Sequence, residues 1–97
     1  MAQFDVHRLG DALVLDCQSD LLSHIGSRLV VPLVRQTEAP IPANRLNPIF
    51  GIDGANYVMM TESAGAIQTR QLGPVIASLA DRSFDITGAL DVLISGV

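Results

Sequence analysis

Ninety-seven residues (1–97) make a single domain with room for one core. The chain is 48% hydrophobic and 16% charged with a net charge of −4, so it has apolar surface to spare and self-association is favoured. It has no lysine and no run among its six arginines that could follow a phosphate backbone, and no apolar stretch of bilayer-spanning length, which argues against direct nucleic-acid binding and against a membrane protein.

In chain order, Phe4–Arg8 and Ala12–Cys17 are predicted strands joined by a tight turn at Gly10-Asp11, with Gly in the first turn position. This register sets Leu9 opposite Ala12, Val6 opposite Leu15 and Phe4 opposite Cys17. One face then carries Phe4, Val6, Leu13, Leu15 and Cys17 as core, and the other carries Asp5, His7, Val14 and Asp16 as the wetter side. Ser19–Ser27 reads as a loop. Leu29–Arg35 is a strand apolar on both faces, hence covered on both, and Pro32 places it at a sheet edge or at a bulge.

Gln36–Pro48, with Pro40, Pro42 and Pro48, is predicted to be a long, mobile loop. Ile49–Ile52 and Asn56–Thr61 form a second hairpin about Asp53-Gly54. Ala66–Arg70 is a short strand, and Val75–Ala80 a helical turn or irregular. The period then changes: Ile86, Ala89, Leu90, Leu93, Ile94 and Val97 form one helical stripe. Asp81 or Ser83 is expected to cap this helix and Gly96 to end it. Gly88, which costs about 1 kcal/mol against Ala, points to close packing on a strand. A lone helix has to lie on the sheet or on a partner's helix.

Few residues suggest chemistry. Cys17 with His7 or His24 is the one nucleophile–base pairing, but Cys17 and His7 lie on opposite hairpin faces without a third orienting group, so the thiol reads as core. Asp5, His7 and Asp16 share a face and could approach a divalent cation, yet no fourth ligand is visible and surface polarity is the preferred reading. No catalytic residue, metal site or cofactor is predicted. Cys17 cannot form an internal disulfide and Met1-Ala2-Gln3-Phe4-Asp5 lacks signal-peptide features, so a cytoplasmic protein is expected. Of Met59 and Met60, neighbours on opposite strand faces, one enters the core and the other is offered to a partner copy.

Six stretches taken together carry a resemblance. Gln3-Phe4-x-Val6, Gln18-Ser19-Asp20-Leu21-Leu22, Arg28-Leu29-Val30-Val31-Pro32-Leu33, Leu46-Asn47-Pro48, Tyr57-x-Met59-Met60-Thr61 and the tail from Asp85-Ile86 through Ala89-Leu90 to Gly96-Val97 resemble, in order and spacing, the CcdB family of bacterial toxins over nearly the whole chain. The resemblance implies a mainly β, SH3-like barrel sheet with one C-terminal helix, assembled as a homodimer. It implies a type II toxin of plasmid-maintenance kind that binds the DNA gyrase A subunit and traps the cleaved-DNA complex, without catalysis. A cognate antitoxin with a disordered C-terminal segment would neutralise it. The implied target surface joins the helix end (Asp91, Ile94, Ser95, Gly96, Val97) to Leu21, Leu22 and His24. The implied dimer surface takes Met59, Leu90, Ile94 and Val97.

One departure bears on the target. Where the gyrase-poisoning members of the family end in Trp-Gly-Ile, this chain reads Ser95-Gly96-Val97, and Asp91 stands where they have Asn. Loss of a buried Trp anchor costs about 2 kcal/mol or more, about thirty-fold in affinity. Two readings stay open: gyrase poisoning through altered contacts, or a protein of the same fold that acts on another target or serves only as an autoregulatory partner of its antitoxin.

Overall fold

A computed structural model describes residues 2–96. Its elements are β1 (Asp5–Leu9), β2 (Ala12–Asp16), β3 (Ser27–Arg35), β4 (Ile49–Ile52), β5 (Ala55–Met59), β6 (Gly65–Gln68), β7 (Val75–Ser78) and α1 (Ser83–Ser95), with short 3₁₀ turns at Asp20–Leu22, Thr61–Ser63, Thr69–Gln71 and Ala80–Arg82. The strands form one curled antiparallel sheet in the order β4-β5-β3-β2-β1-β7, with β6 also on β3: a half-barrel with one C-terminal helix, as expected of an SH3-like fold. No helix among the described residues is long and apolar enough to cross a membrane.

The two hairpins follow their turn residues. Gly10 has φ +60 and the β1–β2 register pairs Val6 with Leu15 and Leu9 with Ala12. At the second turn Asp53 (φ +49) and Gly54 (φ +81) are both left-handed, the requirement of a two-residue turn whose twist matches the flanking strands. Phe4 itself is left-handed (φ +71) and stands outside β1, its amide bonded to the Asp16 carbonyl. Phe4, Val6, Leu13, Leu15 and Cys17 nevertheless all lie in the core, with Val31, Leu33, Phe50, Ile52, Met59, Leu79, Ile86 and Ala89.

The second face of the hairpin is not wet. His7, Val14 and Asp16 are buried, as are Val30 and Arg28 on the adjoining strand. The chain must pass from β6, beside β3, to β7, beside β1, and this crossover lies on that face. His7 Nδ1 donates to the Gly73 carbonyl at 2.9 Å, Gly73 N donates to Arg8 O at 2.7 Å, and Arg8 N donates to Pro74 O at 3.1 Å. Gly73 is required at this crossing, because a Cβ there would stand 2.7 Å from Arg8 O. Beyond it Val75–Ser78 extends as β7 on the free edge of β1, where a helical turn or irregular chain was expected.

Three further expectations change. Pro32 lies in a central strand, not at an edge. The partner of β3 changes from β6 at Ser27–Val30 to β5 at Leu33–Arg35, and Pro32 occupies the gap between them. Its carbonyl accepts from Met60 N on that side, so its missing N–H costs no ladder bond. The helix has Arg82 as N-cap without a capping side chain; neither Asp81 nor Ser83 caps it, and Asp85 instead accepts from Arg82 Nε at 2.9 Å. Finally, a Cβ at Gly88 would meet nothing within 4 Å, so close packing on a strand does not explain this glycine. Gly96 (φ +77) ends the helix as expected, its N–H bonded to the Val92 carbonyl.

The 36–48 segment carries no strand or α-helix, and its end is pinned. Buried Asn47 accepts from Ala43 N and donates to both Met59 O and Glu62 Oε1, and Met59 N donates to Pro48 O.

Candidate target-binding surface

Only half of the helical stripe meets the sheet. Ile86 and Ala89 are buried and Leu90 is half-buried against the core, but Leu93 is 43% and Ile94 83% exposed. Leu93 therefore belongs with Ile94 to the free part of the helix. Asp91, Ser95 and Gly96 are exposed with it, and the Ser95 hydroxyl is turned back onto the helix, donating to the Asp91 carbonyl at 2.6 Å. Asp91 borders a cavity of about 400 Å³ with Arg45, Phe84 and Gly88. Phe84, 88% exposed at the helix start, was not singled out in the sequence, since it falls outside the apolar stripe. Val97 lies outside the described residues.

The second group sits on the turn after β2. Leu21 is 88% exposed, Leu22 and His24 are exposed, and so is Ile25, which sequence reasoning passed over although it is the third apolar residue of the same loop. Within one subunit α1 runs closer to the Thr61–Ser63 turn than to this one. Met59 is fully enclosed in the subunit core, so its side chain has no surface to offer a second copy; Met60 is the half-buried neighbour.

Beneath the turn lies a polar knot that sequence reasoning missed. Arg28 and Asp16 are both fully buried and form an ion pair, with Arg28 Nη2 2.7 Å and Nε 2.9 Å from Asp16 Oδ2. Asp16 is thereby taken up, His7 donates from Nδ1 to Gly73 O, and no cluster of three metal-ligating side chains occurs among the described residues. Cys17 is buried on the opposite face from His7. Burial, with a smaller contribution from the Asp16 carboxylate, pushes its thiol up from 9.0 to about 12. The neutral thiol is thus favoured in the fold. Its stabilising contribution is complete below pH 9 and lost as pH rises toward 12, while the unfolded thiol ionises first. Thiol labelling at pH 8 should therefore proceed only as fast as the chain unfolds, and labelling of the native protein at the rate of a free thiol would contradict the burial.

A curled β-sheet closed by one C-terminal helix, with exposed apolar residues at the helix end and on one turn, defines a small SH3-like protein. The CcdB protein family matches residues 3–96, and the chain belongs to it. Membership makes it a toxin of a toxin–antitoxin system, in a family of toxins not known as enzymes.

Proposed function

We propose that this chain acts in the cytoplasm as a homodimer that binds the DNA gyrase A subunit and holds the cleaved-DNA complex, and that a cognate antitoxin with a disordered C-terminal segment neutralises it. The observation that carries the reading is the uncovered apolar end of α1, Leu93 and Ile94, in a chain of this family. Isolated apolar side chains need no explanation on a protein surface, but Leu21, Leu22, Ile25, Leu93 and Ile94 make two groups, and exposed apolar groups of this kind mark contacts. Asp91, Ser95, Gly96 and His24 supply the polar rim of the proposed site.

A second reading rests on Ser95. Its hydroxyl is occupied by Asp91 O and presents no aromatic face, so the site lacks the anchor that gyrase-poisoning members use. The fold would then serve another target, or only antitoxin binding and autoregulation. Expression in gyrase-sensitive and gyrase-resistant cells separates the two. Gyrase poisoning predicts arrest in the sensitive strain alone, with Ser95→Trp raising gyrase affinity about thirty-fold or more. Arrest in both strains assigns another target, and folded dimers of both versions that arrest neither strain remove the gyrase reading.

A further inference from the structure

We propose that Arg28 is the positioning residue of the Leu21–Leu22 contact surface, which rests on the reading above that this turn meets the target. The turn has no core anchor: residues 20–26 are all exposed, and the 3₁₀ turn buries none of its side chains. Its internal bonds are local, from Leu22 N to Ser19 O and from Ile25 N to Leu22 O. Its far end is held by the backbone, where Thr69 N donates to Gly26 O at 3.0 Å and Ser27 pairs with Gln68 of β6, while its near end is gathered by one guanidinium. Arg28 Nε and Nη2 grip Asp16 at the end of β2, and Nη2 reaches the Gln18 carbonyl at 3.4 Å. The same nitrogen stands 3.9 Å from Asp20 Oδ1, which also accepts from Gln3 N at 2.8 Å.

Gln18 relays the hold into the turn. Its amide donates to Asp16 Oδ1, its side-chain oxygen accepts from Leu29 N, and its side-chain nitrogen donates to Leu22 O, each at 3.1 Å. Stability is a weak reason for the pair, because apolar side chains of similar volume often replace a buried ion pair without loss. A planar fork that joins several acceptors around one loop does what an apolar pair cannot. It holds two exposed leucines in one arrangement before binding, which lowers the ordering cost at contact.

The test compares the full-length chain with Asp16→Leu/Arg28→Met, which removes both charges together, and with Gln18→Ala, which leaves the ion pair intact and cuts the relay. Hydrogen exchange of the Leu22, Ser23 and Ile25 amides reads the turn, and exchange of the β2–β3 amides from Val30 onward reads the fold. Both variants are expected to keep β2–β3 protection while the turn amides exchange at least tenfold faster, and to bind isolated gyrase A subunit at least tenfold more weakly than wild type. Wild-type turn exchange in a folded variant overturns the proposal, as does unchanged gyrase affinity with a loosened turn. Should the double variant fail to fold, Arg28→Lys, which keeps the charge beside Asp16 and loses the fork that reaches Gln18 O, decides by the same two readings. A wild-type chain that does not bind gyrase defeats the target reading, and the exchange result then decides the positioning role by itself.

Discussion

Phe50→Ala should destabilise the folded chain by about 3–5 kcal/mol, whereas Phe50→Leu should cost far less. Phe50 is almost fully buried on β4, the edge strand of the sheet, yet belongs to the same core cluster as Met59, Ile86 and Ala89. It is thus one of the side chains through which the helix is fixed to the sheet. Its ring also lies 4.7 Å from the Arg82 guanidinium carbon, at the residue from which α1 starts. Truncation removes the ring from a packed core and leaves that cation without its aromatic face. A single domain of this size has a total stability of about 5–15 kcal/mol, so the loss is a large share of the whole. Urea unfolding at several concentrations of protein checks it. An unfolding free energy within about 0.5 kcal/mol of wild type, the scatter of surface substitutions, would mean that Phe50 does not join helix to sheet.

The parts of the fold legible in the sequence are those set by local chemistry. Gly10-Asp11 and Asp53-Gly54 fix both hairpins because their turns require left-handed residues, and the period-two pattern then fixes which of Val6, Leu13 and Leu15 point inward. Gly96 likewise marks the helix end. What was not legible depends on chain segments distant in sequence. Val75–Ser78 is a strand because β1 has a free edge to accept it, and nothing in four residues announces that. His7 is buried with its ring on the Gly73 carbonyl, 66 residues along the chain, and Asp16 against Arg28 of β3, partners that their own alternation cannot reveal. Pro32 misleads for the same reason: the partner change in β3 makes a gap that suits it, inside the sheet.

The candidate site divides the same way. Leu21, Leu22 and Ile94 stand out as apolar residues with little chain to cover them, and their exposure agrees. Arg28 was read as one more scattered arginine. The signal that could have found it is the β2–β3 register, which sets Asp16 opposite Val30 and so puts Arg28 two residues along on the same face. A buried Asp then needs a cation, and Arg28 is the side chain within diagonal reach.

Ile94→Asp is expected to turn the proposed dimer into a monomer while leaving the subunit fold intact. Ile94 contributes almost nothing to its own subunit's core, being 83% exposed one turn beyond half-buried Leu90. In a two-fold assembly each surface meets its own copy, so one substitution acts twice. Each copy would lose an apolar contact and add a carboxylate that has to be desolvated close to its symmetry mate. At about 2 kcal/mol per copy, the dissociation constant rises about a thousandfold. Sedimentation or gel filtration over a concentration series reads this directly, and an unchanged thermal midpoint of the isolated subunit shows that the fold is untouched. Gyrase binding then separates two roles of the helix end. A monomer that no longer binds means the docking surface is shared by two copies, with Leu21 and Leu22 brought beside α1 only by assembly. A dimer as tight as wild type that has lost gyrase means Ile94 touches the target and not its mate.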